Sequence, residues 1–412
     1  MATTYCSVAD ISDFIRVPIT ATTTPNTTQV EKLINRKEAE LDRRMGHAWR
    51  SKKITREVHD LPLLYTYGWG TPIFLQHRNI YEFDAGEGDK IEIQLYDLKK
   101  NKKINTVFSN DTYDVSGMAL SKKRNYEIDY FSYTGEKTQI IPVSDTYKKI
   151  YNRLKQEFGD KQFFTVGRTD DESKYMIAVT SDKIVGEYYL YDVEADEVSL
   201  LYKLLPHLKE EDMASMKPIT FKSRDGLTLH GYITLPHNYQ EGMQVPLVVN
   251  PHGGPQGIRD SWGFNPEAQL FASRGYATLH VNFRISGGYG KEFLKAGFGE
   301  IGRKAMDDVE DGVDYVIEQG WVDKDRIAIY GGSHGGYAVL RGMTKTPEKY
   351  ACGVDYVGVS NLNTFMETIP PYWEKYRELL YKIWYNPGIP EEKKIMDEIS
   401  PALHVDEIKN PL

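Results

Sequence analysis

Cysteine is scarce: the 412 residues hold two, Cys6 and Cys352, which lie far apart and cannot form a disulfide framework. Long apolar runs are missing too. No stretch approaches the roughly 20 apolar residues of a membrane span. Residues 1–20 lack the basic start and apolar core of a secretory leader. Nor is there a basic surplus, since 51 Lys and Arg face 59 Asp and Glu, a net charge of -8. An acidic balance of this kind gives no electrostatic footprint for nucleic acid. No His, Cys, Asp or Glu set has metal-ligand spacing. The expectation from these absences is a soluble, cytoplasmic protein with no cofactor, no metal, no nucleic acid and no membrane partner.

What is present is ordinary globular composition, 40% hydrophobic and 27% charged, in a chain long enough for two or three cores. Three segments read differently. Residues 1–95 open with an apolar run at 8–15 and a Thr-rich loop. A helix is expected from about Gln29 to Gly46, with Val30, Leu33, Ile34, Leu41 and Met45 on one face. Short strand-like runs follow, Pro72–Leu75 and Lys90–Leu95. His47, His59 and His77 are scattered and form no constellation.

Residues 96–212 are rich in short strands with turns between them. Met176–Ser181, Gly186–Asp192 and Glu197–Tyr202 are the clearest, after Lys102–Phe108, Tyr126–Tyr133 and Thr138–Pro142. Four-stranded units at this spacing predict about two blades of a β-propeller, too few to close a ring of typically four to eight. Residues 213–412 turn to alternating strand and helix. A hairpin around Asp225-Gly226 leads to apolar strands at Pro246–Asn250, Ala277–Asn282 and Arg326–Tyr330. A helix at about Lys304–Gln319 carries Ala305, Val309, Val313, Val316 and Ile317 inward. Such a pattern predicts a mostly parallel sheet covered on both faces. The expected fold class is therefore α/β, an α/β-hydrolase behind a partial propeller and a small α+β segment.

The chemistry-bearing motif is Gly331-Gly332-Ser333-His334-Gly335-Gly336, between an apolar strand and a helix. This is a nucleophile elbow, G-x-S-x-G, in which a tight turn lifts a serine hydroxyl above the sheet. Gly331 and Gly335 are needed because the turn leaves no room for Cβ atoms beside the serine. About 80 residues upstream, Pro251-His252-Gly253-Gly254-Pro255 follows another strand, where an oxyanion loop belongs. Ser333 is thus the candidate nucleophile. That loop would offer one backbone N–H, and His334 after the nucleophile another, the two donors that a tetrahedral oxyanion requires. His252 would support the loop.

PHGGP, NFRISGGYGKEF (282–293) and DRIAIYGGSHGGY (325–337) together resemble the prolyl oligopeptidase family of serine peptidases, its acylaminoacyl- and dipeptidyl-peptidase-like branches in particular. The resemblance implies a propeller before a hydrolase domain, and a peptide substrate cleaved through an acyl-enzyme on Ser333, with Gly253 and His334 as the oxyanion donors. It also puts Arg284 and Tyr289 in a loop near the site, as candidates for substrate contact. In the first segment, CSVADISDFI…VEKLINRKEAELDRRMGHAW resembles head–tail connector proteins of tailed phages. The alternative function that this implies is a structural connector carrying a passenger hydrolase fragment.

Hydrolases of this fold run Ser, then Asp or Glu, then His along the chain. After Ser333 only His334 and His404 remain, and chain order makes His404 and Asp406 loop residues rather than a triad. The expectation is a truncated, chimeric chain joined near Ile91–Asp97, with no triad acid or base and little activity. An exposed sheet edge would promote homo-oligomers or aggregation.

Overall fold

The computed structural model describes residues 27, 28, 30–32, 34, 80–84, 88–97 and 102–412. The chain divides into two compact units, Met1–Thr66 and Tyr67–Leu412. In the first, the described residues are helical, and Val30 and Ile34 are buried four apart, as an amphipathic helix requires. The rest of the expected helix, the run at 72–75, Cys6, His47, His59 and His77 lie outside the described residues.

The second unit begins with an antiparallel sheet of β1 (Ile80–Asp84), β2 (Glu92–Asp97) and β3 (Lys102–Phe108). The boundary expected at 95/96 falls inside β2, which pairs with β1 on one side and β3 on the other. The join expected near 91–97 sits in a stretch that already packs onto distant residues. Lys90 Nζ donates to Tyr289 O (2.6 Å), and Asp89 accepts from the Lys291 and Glu292 amides.

A second sheet holds β4 (Val115–Ser121), β5 (Glu127–Thr134) and β6 (Thr138–Pro142), and a third orders β10-β9-β8-β7. Its strands are β7 (Gln162–Arg168), β8 (Lys174–Thr180), β9 (Glu187–Asp192) and β10 (Glu197–Lys203). The runs expected as one early blade are therefore shared between two three-stranded sheets, and only the last sheet has four strands. Between the second and third sheets lies a helix the strand reading passed over, α1 (Asp145–Phe158). Its signals are in the sequence: Ser144 caps it by accepting from the Tyr147 amide (3.0 Å), and Tyr147, Ile150, Leu154 and Phe158 recur at helical spacing. All four are buried against Phe163, Tyr175 and Ile177. Each such side chain contributes about 1.5–3 kcal/mol.

The hydrolase part is a six-stranded sheet ordered β11-β12-β14-β13-β15-β16. Its strands are β11 (Met216–Lys222), β12 (Thr228–Thr234), β13 (Val245–Val249), β14 (Ala277–Asn282), β15 (Val322–Gly332) and β16 (Cys352–Tyr356). β11, β12 and β14 pair antiparallel, whereas β14, β13, β15 and β16 run parallel. Helices α2 (Pro266–Ala272), α3 (Lys291–Lys295), α4 (Lys304–Glu318) and α5 (His334–Lys345) fill the crossovers. α6 (Leu362–Glu367), α7 (Arg377–Trp384) and α8 (Pro390–Glu398) follow β16. The inner stripe of α4 is as expected for Ala305, Val309, Val313 and Val316, all buried. This is an α/β-hydrolase sheet behind a partial β-propeller.

Along the outer edge of β16, Gly353 N–H donates to Pro411 O (2.9 Å) and Asn410 Nδ2 reaches Pro347 O and Tyr350 O. The side chains of Val354, Tyr356 and Val357 are exposed, at 52%, 66% and 71%.

Candidate active site

The parallel order brings the C-terminal ends of β13 and β15 side by side, and the two glycine-rich turns leave from those ends. Asn250 Nδ2 donates to Tyr330 O (2.9 Å), pinning one strand end to the other. Ser333 sits at φ 58°, ψ -118°, between β15 and α5, in a conformation that L side chains seldom adopt. Its amide donates to Tyr356 O (2.9 Å), and its carbonyl accepts from the Tyr337 amide in the first turn of α5. The serine itself is exposed while residues 334–339 are buried.

The spacing of the glycines has a steric cause. A Cβ on Gly335 would stand 2.2 Å from Pro251 O, and one on Gly331 would stand 2.6 Å from the Gly335 backbone. Close approach of the two turns is therefore possible only with glycine there. A Cβ on Gly253 would lie 3.6 Å from Ser333 Cβ, which puts that residue directly beside the serine. Among the described residues no acceptor is hydrogen-bonded to the amides of Gly253 or His334. Two free donors thus flank an exposed hydroxyl at the start of a helix, whose dipole favours developing negative charge.

The histidines here are structural. The His252 ring stacks on Phe283 (4.4 Å), with Nδ1 2.8 Å from Gly253 O and Nε2 2.9 Å from Ser286 Oγ. His334 turns its ring inward against Phe283 and Trp384, its Nδ1 3.4 Å from His252 O. Burial lowers His252 to about 4 and His334 to about 3, so both are neutral near pH 7. His404 uses its ring nitrogens on Glu407 Oε1 (3.2 Å) and Asp397 O (3.1 Å). Among the described residues no imidazole is hydrogen-bonded to Ser333 Oγ.

Arg284 and Tyr289 are corrected as substrate contacts, because both are buried and fully engaged within the protein. Arg284 makes five hydrogen bonds to carboxylates: its amide, Nε and Nη2 donate to Asp308, and Nη1 and Nη2 donate to Asp225. Burial raises Asp308 to about 6 against the pull of Arg284, leaving it ionised near pH 7. Tyr289 OH accepts from Asn282 Nδ2 (2.9 Å) under the Arg259 guanidinium, 4.4 Å from the ring. Arg259 also donates to Thr134 O and Gly135 O, so the β5–β6 turn braces the loop that carries Gly253.

Sequence reasoning missed Ser286, Asp308, Tyr356 and Asn250. Asn250 adjoins PHGGP and was legible as a polar strand end, and Asp225 was read only as a turn residue. The aromatic-rich stretch from Phe365 to Trp384 falls mostly in α6, a 3-10 turn at Pro371–Tyr376, and α7. Met366, Leu380, Ile383 and Trp384 from it are core.

The model of the prolyl oligopeptidase family matches residues 262–412. Dipeptidyl aminopeptidase BIII of Pseudoxanthomonas mexicana is 43% identical over 251 residues, 60% of this chain and 36% of that protein. Dipeptidyl peptidase family member 6 of Caenorhabditis elegans is 33% identical over 297 residues, 67% of this chain and 40% of that protein. The chain thus spans two fifths or less of the length of these two curated relatives. Among solved structures, a puromycin-hydrolyzing peptidase of Mycobacterium tuberculosis superposes with TM-score 0.67 at 19% identity, covering 83% of this chain and 51% of that one. The acylaminoacyl peptidase of Pyrococcus horikoshii gives TM-score 0.60 at 21% identity, covering 85% of this chain and 53% of that one. None of these relatives supports the connector likeness of residues 1–95.

Proposed function

Because the chain belongs, through its hydrolase part, to the prolyl oligopeptidase family of serine peptidases, we propose that Ser333 is the nucleophile of a peptidase that cleaves short peptides through an acyl-enzyme. The observation that carries this reading is the exposed Ser333 hydroxyl beside the unbonded amides of Gly253 and His334. In the reaction Ser333 Oγ attacks the peptide carbonyl carbon and the two amides receive the oxyanion. The C–N bond then breaks, the Oγ proton leaves with the amine, and water hydrolyses the ester. No metal or cofactor takes part in this sequence.

The proton on Oγ needs a base, and no described residue offers one to Ser333. His252 and His334 are neutral, but His252 holds both nitrogens on the protein's own groups, and the His334 ring is buried against Phe283 and Trp384 with Nδ1 on His252 O and Nε2 without a partner among the described residues. A serine without its base stays protonated and weakly nucleophilic. Missing triad members leave roughly 10³–10⁴-fold catalysis over water from the oxyanion hole and binding. On this reading the described residues form an intact nucleophile seat that, without a base, is a poor catalyst.

The test is intact-mass detection of a fluorophosphonate adduct on the chain and on Ser333→Ala. A single adduct on Ser333, formed orders of magnitude more slowly than in active serine hydrolases, is expected. Equal labelling of Ser333→Ala would remove the nucleophile assignment. Brisk turnover of peptide p-nitroanilides would instead overturn the reading that Ser333 has no working base.

A further inference from the structure

The loop after β14 is built with unusual effort for a connection. Arg284 is buried with its guanidinium and amide both on Asp308. Ile285, a β-branched residue, is held at φ 83°, a conformation that persists only where surrounding structure over-determines it. Hydrogen bonds run both ways between this loop and the one carrying Gly253, from Gly257 N to Ile285 O (3.0 Å) and from Gly287 N to Ile258 O (2.9 Å). The product of these constraints is one fully buried hydroxyl, Ser286 Oγ, 2.9 Å from His252 Nε2 and 2.7 Å from Phe283 O.

Counting protons decides how that hydroxyl is used. The contacts run from Gly253 O to His252 Nδ1, from His252 Nε2 to Ser286 Oγ, and from Ser286 Oγ to Phe283 O. Both ends are carbonyls that only accept, and a neutral imidazole with one hydroxyl brings two protons to three contacts. With the ring proton on Nδ1, Gly253 O receives a donor (2.8 Å), whereas the alternative, Nε2–H to the hydroxyl and the hydroxyl to Phe283 O, leaves Gly253 O with none among the described residues. Nε2 is then an empty acceptor, whereas Phe283 O already receives the Ser286 amide (3.0 Å). We therefore place the hydroxyl proton on the Nε2 contact, which leaves the 2.7 Å approach of Ser286 Oγ to Phe283 O without a proton between them.

We propose that Ser286, anchored by the Arg284–Asp308 pair, is a positioning residue for the oxyanion loop. Its hydroxyl holds His252 as the Nδ1–H tautomer, which ties the ring to the Gly253 carbonyl and keeps the Gly253 amide beside Ser333. The proposal rests on the reading of Gly253 as an oxyanion donor.

The experiment is imidazole 15N spectroscopy of the 412-residue chain near pH 7, with the His252 signals identified through His252→Gln. The expected wild-type pattern is a neutral ring protonated on Nδ1. In Ser286→Ala the pattern shifts toward Nε2–H, and Ser286→Thr, which keeps the hydroxyl, restores Nδ1–H. Fluorophosphonate labelling of Ser333 falls roughly tenfold in Ser286→Ala and recovers in Ser286→Thr, short of the 10²–10³ for losing a donor outright. An Nε2–H ring in the wild type, a measurement that needs no variant to fold, overturns the proposal. So does an unchanged His252 pattern in Ser286→Ala. Absence of a Ser333-dependent adduct on the wild-type chain would instead sink the reading of the site, while the tautomer result would stand by itself.

Discussion

Asp308→Ala is the perturbation with the largest effect that the structure predicts outside the nucleophile. Asp308 is fully buried and takes three hydrogen bonds from Arg284, one from the amide and two from the guanidinium. Its removal leaves a guanidinium, 4% exposed, with Asp225 as its one remaining carboxylate among the described residues. Breaking a buried pair from one side costs about 3–5 kcal/mol, because the remaining charge is uncompensated. At about 2–4 °C per kcal/mol for a part of about 200 residues, Tm should drop by roughly 6–20 °C. Arg284→Met should cost a similar amount by stranding Asp308. The double variant, with neither charge, should recover much of the loss, short of wild type by the amide bond to Asp308, about 1–3 kcal/mol. Thermal unfolding followed by tryptophan fluorescence measures all three, and a double-mutant cycle extracts the coupling. A single variant within about 1 kcal/mol of wild type, or strictly additive variants, would refute the ion pair as the anchor of the 284–288 loop.

Two further outcomes follow from the same geometry. Ser333→Gly should relieve the strain at φ 58° and raise Tm by roughly 2–4 °C, about 1 kcal/mol net of glycine's chain entropy; a lower Tm would show the elbow to be unstrained. Stability should also fall as pH drops from about 6.5 toward 4. Burial lowers His230, His252 and His280 to about 4 and His334 to about 3. The unfolded chain, with ordinary histidines, therefore binds more protons in that window. Asp260, raised to about 7, and Asp308, raised to about 6, act in the opposite sense by holding protons in the folded state. Four histidines outweigh two aspartates by about two protons, a slope up to about 2.7 kcal/mol per pH unit. His280→Gln should flatten it by one proton, as urea titrations at stepped pH would register.

The sequence by itself determined the elements whose signals are local. β6 and β14 begin and end where alternation and apolar runs put them, and α1 was legible from its cap and its four apolar positions although the strand reading passed over it. The serine elbow and the oxyanion loop were legible for the same reason: a turn that admits only glycine at Gly331 and Gly335 leaves its mark in adjacent residues. Tertiary structure alone decided the rest. Asp308 meets Arg284, and His252 meets Ser286, only because the order β14-β13-β15 lays three crossover loops against one another. The same order carries the end of β16, with Tyr356, to the Ser333 amide. That β2 runs across residues 95 and 96 was decided in the same way, since the strand is defined by its partners β1 and β3 rather than by its own composition. Periodicity records which face of an element is apolar, but a contact between residues tens of positions apart depends on how the elements are stacked, which no local pattern encodes.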